Sequence, residues 1–187
     1  MAGLRVIAGK AKGRKLLMVP GDSTRPVSDR VKEAFFNIIG PDIQDAVFLD
    51  LFAGTGSVGI EALSRGAAEV VLVDRDRQAI RTIEQNLINT NLKENAVVLN
   101  RDAFKSLGQF KDKRFDYVYI APPQYIGLWK QALLALDQKP DCLYPDAMVI
   151  IQIHPREFEE LELQALNKID KRKYGNTLLV FYEYPGT

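Results

Sequence analysis

Apolar and polar positions along this chain fall into blocks that change period several times. Short apolar runs at 46–51, 69–74, 96–99 and 115–120 read as strands. Each is followed by a stretch with helical spacing, at 57–65, 76–90, near 103–108 and 126–137. A fifth apolar run, 147–153, leads into a helical or irregular segment at 155–163. Alternating strand and helix units predict an α/β domain whose parallel sheet carries helices on both faces. Ahead of them, Ser28 is placed to cap a helix running through Val31, Ala34, Phe35, Ile38 and Ile39 to Gly40-Pro41. The chain closes with runs at 165–173 and 177–184 around Tyr174-Gly175-Asn176, which predicts an antiparallel hairpin at the sheet edge. It opens with runs at 4–8 and 15–19 joined by Gly9-Lys10-Ala11-Lys12-Gly13, a second predicted β-hairpin. Trp129, Leu133 and Leu136 share helical spacing and are assigned to the core, and Cys142 to packing.

The first strand runs into Asp50-Leu51-Phe52-Ala53-Gly54-Thr55-Gly56, and the second ends on Asp74-Arg75. This is the βαβ layout of a nucleotide site. Small residues let the backbone approach a ligand, and a carboxylate at the end of the next strand grips ribose hydroxyls. Asp50, Phe52, Ala53, Gly54, Thr55, Gly56, Asp74 and Arg75 are therefore candidate cofactor contacts. Asp102 and Ala103 follow the third strand, where the carboxylate can accept from an adenine amino group and the Ala103 N–H can donate to the ring. Asp102 equally suits a helix cap, as does Asp76 for the helix after Asp74. Gly54-x-Gly56-x-x-Gly59 also matches the dinucleotide fingerprint, a weak signal alone. A closing hairpin is unusual in dinucleotide dehydrogenases and expected of the Rossmann-like, seven-stranded sheet of S-adenosylmethionine (SAM) methyltransferases.

Composition narrows the setting. With 187 residues the chain suffices for one domain with a substantial core. It lacks an apolar run of the roughly 18 residues that a membrane span needs, and its N-terminus lacks the apolar stretch of a signal peptide. One cysteine and one histidine permit neither an internal disulfide nor a Cys/His metal cluster, so a metal-free cytoplasmic protein is expected. Charge is uneven. Residues 1–32 hold eight Lys/Arg against Asp22 and Asp29, a balance of +6, which leaves −5 for the rest of a chain of net +1. A basic arm suggests a polyanion, while a solvated surface hairpin would look the same. Lys10, Lys12, Arg14 and Lys15 are the candidate phosphate contacts, with Arg25 and Arg30 beside the following turn. The Pro/Gly/Asp-rich stretch near 20–26 divides a basic hairpin extension, 1–26, from a main domain, 27–187.

The fourth strand ends in Ala121-Pro122-Pro123-Gln124-Tyr125, a rigid loop over the crevice where such sheets bind ligands. Here the chain resembles the amino-methyltransferases with an (Asp/Asn)-Pro-Pro-(Tyr/Phe) motif. Within them it is similar to the RsmD family of 16S ribosomal RNA guanine-N2 methyltransferases. The likeness spans nearly the whole chain: residues 5–16, 25–33, 49–56, 61–67 and 173–177. It implies SAM as cofactor, ribosomal RNA or an assembling small ribosomal subunit as partner, and a monomer. It also implies that residues 121–125 orient an exocyclic amine, and that Arg25 and Arg30 lie near the site's mouth. The motif departs from the family at two places. Ala121 stands where Asp or Asn is expected, and Gln124 where the aromatic is, with Tyr125 one position late. Catalysis then needs the Ala121 and Pro122 carbonyls, with the Gln124 oxygen, as acceptors, and stacking from Tyr125 or Tyr119. An RNA-binding assembly factor weakened in transfer, and a DNA adenine N6-methyltransferase, are the alternatives. A nicotinamide dehydrogenase fits least. His154, after the fifth strand, is assigned a structural role.

Overall fold

The structure, a computed structural model, describes residues 3–21 and 26–187. Its centre is one seven-stranded sheet: β1 (Val47–Asp50), β2 (Glu69–Asp74), β3 (Ala96–Asn100), β4 (Phe115–Ile120), β5 (Leu143–Ile153), β6 (Asn167–Tyr174) and β7 (Thr177–Tyr184). The spatial order is β3-β2-β1-β4-β5-β7-β6, parallel through β5, with β7 antiparallel between β5 and β6. The expected α/β class, seven strands and closing hairpin are all present.

Side chains alternate through the central strands and build a core on each face. Phe48, Val70, Leu72 and Ile150 pack against α1 (Asp29–Ile39), α2 (Ser57–Ser64) and α3 (Arg77–Thr90). Leu49, Val71, Val118 and Val149 face α4 (Ala103–Leu107) and α5 (Leu128–Gln138). Trp129, Leu133, Leu136 and Cys142 are buried there. The Ser28 side chain caps α1 through the Val31 N–H, and Asp76 caps α3 through the Gln78 N–H.

Two elements differ from expectation. β5 begins at Leu143 rather than 147, because Leu143 pairs with Phe115 before the strand bulges. Between Phe115 and Tyr117 it runs from Leu143 to Met148, with Asp146 at φ +66°, and an internal Pro145 hides this start in the sequence. The N-terminal hairpin closes on a single antiparallel bridge, Arg5 with Lys15, rather than on two full strands. The Val6, Gly13 and Leu16 N–H groups bond across the hairpin, while four other donors go to α2. The Ile7 and Ala8 N–H groups reach the Glu61 carboxylate, Lys10 N–H the Ser64 carbonyl and Ala11 N–H the Ser64 hydroxyl.

Beneath the hairpin lies an ion pair that sequence reading misses. Lys32 and Glu61 are each fully buried, 3.5 Å apart. Lys32 Nζ also donates to the Arg5 carbonyl and the Ser57 hydroxyl, and Glu61 also accepts from Arg65. Lys32 therefore belongs to the core, not to the solvated charge of the arm.

Candidate active site

β1 lies between β2 and β4, so the connections leave β1 and β4 in opposite directions along the sheet. In open α/β sheets that divide at the carboxyl ends is where ligands bind. A cleft of about 1020 Å³ opens there, lined by the loops that follow β1, β2, β3, β4 and β5, by residues 26–28 and by the β6–β7 turn.

The glycine turn forms the cleft's floor. Gly54 and Gly56 adopt φ +56° and +79°, conformations that a Cβ disfavours. A Cβ on Gly56 would also meet Ile83 at 3.2 Å and Ile60 at 3.3 Å. Asp74 accepts from the Gly54 N–H at 2.9 Å and, through its other oxygen, from the Asp76 N–H at 2.9 Å. Two backbone bonds leave about half of a carboxylate's acceptor capacity for a ligand. Burial raises the Asp74 pKa against those two bonds, so hydroxyl donors from a bound ligand would favour its charged form. Asp50 is buried under the turn and accepts from the Gly59 N–H at 3.1 Å. Burial pushes its pKa up to about 7; the Gly59 bond opposes this and the Asp74 charge adds to it.

Asp102 caps α4 through the Phe104 and Lys105 N–H groups, both bonded to Oδ1, and with Ala103 it also lines the cleft. Cap and ligand contact are compatible because Oδ2 takes no part in the cap. Arg75 lines the cleft beside Asp74. Facing these groups across the cleft are Ala121, Pro122, Pro123, Gln124 and Tyr125, with Tyr119, Gln152 and His154 behind them. The Tyr119 hydroxyl donates to the Gln152 side-chain oxygen, and burial holds the Tyr119 pKa well above the ordinary phenol value. His154 N–H and Tyr125 N–H both donate to Glu157.

The structure thus gathers Asp50, Phe52, Ala53, Gly54, Thr55, Asp74, Arg75, Asp102, Ala103 and residues 121–125 around one cleft, with Gly56 completing the turn from below. Lys10, Lys12, Arg14, Lys15 and Arg30 are exposed and do not line it. Arg25 lies outside the described residues. Sequence reading missed Gln152 and Glu157, whose partners lie 33 and 32 residues away in the chain. Among the described residues no group of His, Cys, Asp or Glu is placed to hold a metal, and no helix is long and apolar enough to cross a membrane.

The family described as Conserved hypothetical protein 95 matches residues 4–183. The Bacillus subtilis protein YlbH is 40% identical over 98% of this chain and 100% of its own length. Ribosomal RNA small subunit methyltransferase D of Haemophilus influenzae is 34% identical over 92% of this chain and 94% of its own. The solved structure of YhhF from Escherichia coli superposes with a TM-score of 0.86 at 31% identity, covering 98% of each chain.

Proposed function

Since the chain belongs to the family described as Conserved hypothetical protein 95, we propose that it methylates the exocyclic N2 amine of a guanine in small-subunit (16S) ribosomal RNA, using SAM. The observation that carries this reading is that one cleft sets the glycine turn opposite the Pro-Pro loop. Its relative in Haemophilus influenzae bears the name ribosomal RNA small subunit methyltransferase D.

The donor half fits SAM. Asp74 has acceptor capacity left for two ribose hydroxyls, Asp102 Oδ2 is open to an adenine amino group, and the glycine turn leaves room for the amino-acid portion. Held there, SAM would supply a methyl group on a sulfonium, for the amine lone pair to take as the carbon–sulfur bond breaks. The protein's task is to position that amine. The Ala121 and Pro122 carbonyls accept its hydrogens and turn the lone pair out of conjugation with the base, and the Pro-Pro backbone fixes them at little entropic cost. The lost proton leaves to solvent. The chain acts as a cytoplasmic monomer on RNA or on an assembling subunit, and the basic hairpin meets phosphates.

A second reading, an assembly factor that binds SAM without transferring the methyl, rests on Ala121, whose side chain has no polar atom. Tritiated SAM incubated with unmethylated small subunits separates the two. Label in the RNA, mapped to a guanine, supports the proposal. Bound SAM without incorporated label sinks it, and label incorporated only when DNA replaces the subunits redirects it to adenine chemistry. Asp74→Ala should weaken SAM binding by about 100-fold or more in calorimetry, the loss expected when two hydrogen bonds to a charged group go.

A further inference from the structure

Tyr125 combines features that a packing residue does not need. It is 63% exposed at the mouth of the cleft, and its φ is +65°, in the left-handed region that a side chain with a Cβ disfavours. Its backbone N–H is held by Glu157 Oε1 at 2.7 Å, a short bond to a carboxylate. The other oxygen of that carboxylate accepts from the His154 N–H at 3.1 Å.

Glu157 is itself fixed. It ends a 3-10 turn, Pro155–Glu157, in which the His154 ring accepts from the Arg156 N–H at 3.1 Å and the Glu157 N–H donates to the His154 carbonyl at 3.0 Å. One carboxylate therefore ties the loop after β4 to the end of β5 and sets the backbone of two rings together. Those rings, Tyr125 and His154, have centroids 5.6 Å apart and are tilted by 40°. That is a contact distance between the rings themselves, so no base fits between them. His154 braces the Tyr125 ring at that distance, and the largely exposed phenol lines the cleft. The position where the family carries its aromatic holds Gln124 here, an exposed side chain without a ring.

We infer that Glu157 is a positioning residue, which holds Tyr125 in its left-handed conformation so that its ring, braced by His154, forms the platform on which the acceptor base stacks. The inference rests on the nucleobase-methylating reading above. It explains how a one-residue shift of the aromatic is absorbed. Moving the ring along the loop points it elsewhere unless the backbone at that residue turns, and the Glu157 carboxylate holds that turn.

The test measures transfer to small-subunit RNA together with SAM affinity. Tyr125→Ala should lower kcat/KM for RNA by about tenfold or more, the loss that follows removal of one base-stacking ring. Glu157→Ala should lower it by roughly three- to tenfold, and Glu157→Gln, which keeps one acceptor oxygen, by less. SAM affinity should stay at the wild-type value in all three. Because Glu157 acts through Tyr125, the double variant should be no worse than Tyr125→Ala alone, whereas independent roles would multiply. A wild-type kcat/KM in both Glu157 variants, a multiplicative double variant, or a loss of SAM affinity matching the loss of transfer would overturn the inference. Wild-type protein that transfers no label defeats the proposed function alone. The platform is then read by fluorescence of an oligoribonucleotide containing 2-aminopurine. Quenching that is lost in the Tyr125→Ala and Glu157→Ala variants supports it, and quenching that is absent or equal in all three proteins overturns it.

Discussion

Asp50 carries a titration signature near neutral pH. It sits 2% exposed beneath the glycine turn, and burial pushes its pKa up to about 7 from an ordinary 3.8. Between those values the folded chain holds a proton that the unfolded chain has released. Its contribution to stability is therefore present at low pH and lost as pH rises through that window, by about 1.4 kcal/mol per pH unit at most. Asp50→Asn keeps an acceptor for the Gly59 N–H and cannot ionise. Denaturant midpoints of the cofactor-free proteins should diverge between about pH 4 and 7, with the variant gaining on the wild type, and parallel pH profiles across that window would refute the buried proton. Asp50 and Asp74 were legible in sequence because strand ends and glycine turns mark their places. Glu61 and Lys32 were not, since charged residues in short helices read as surface. Yet Lys32 is spaced with Phe35, Phe36 and Ile39 on the buried face of α1, and that spacing was the available signal. Glu157 left no such trace, because its target lies on another loop.

At the scale of elements, the N-terminal hairpin shows how tertiary contacts override local pattern. Its alternation predicted two paired strands, but backbone donors at Ile7, Ala8, Lys10 and Ala11 bond to α2 instead, so the pairing stops at one bridge. The contact is close enough to demand glycine. Gly9 has φ +84°, and a Cβ there would lie 1.9 Å from the Ser64 carbonyl oxygen. Gly9→Ala must therefore move backbone on one side or the other. We expect a loss of about 2–4 kcal/mol, from left-handed strain and overpacking together. Thermal unfolding should report it, and tryptic cleavage after Lys10, Lys12 and Arg14 should accelerate well before the sheet unfolds. An unchanged melting temperature with unchanged cleavage would show that the hairpin is not docked through Gly9. Removing the Glu61 carboxylate with Glu61→Ala strands Lys32 as a buried charge, for which about 3–5 kcal/mol is the expected penalty.

Across the whole molecule, chemistry and charge occupy different surfaces. The cleft gathers loops from the carboxyl ends of five strands, a consequence of parallel topology that alternating apolar runs already implied. The basic residues Lys10, Lys12, Arg14 and Lys15 stand on the hairpin instead, exposed and without an ion pair to any described residue. Residues 26–28, which follow the arm in the chain, line the cleft, so the two surfaces are joined through the chain itself. On the proposed function, such a division would give the arm sequence-independent phosphate contacts and the cleft the one base that reacts. It also separates their signatures. Each phosphate contact contributes about 0.7–0.9 to the slope of log K against log salt, so replacing all four cations with Gln should flatten that slope for small-subunit RNA by up to about 3.6. SAM affinity and melting temperature should hold, because none of the four side chains lines the cleft or is buried. A slope equal to the wild type's would mean that the arm does not meet the RNA, and the polyanion contact would then have to come from cations elsewhere on the surface.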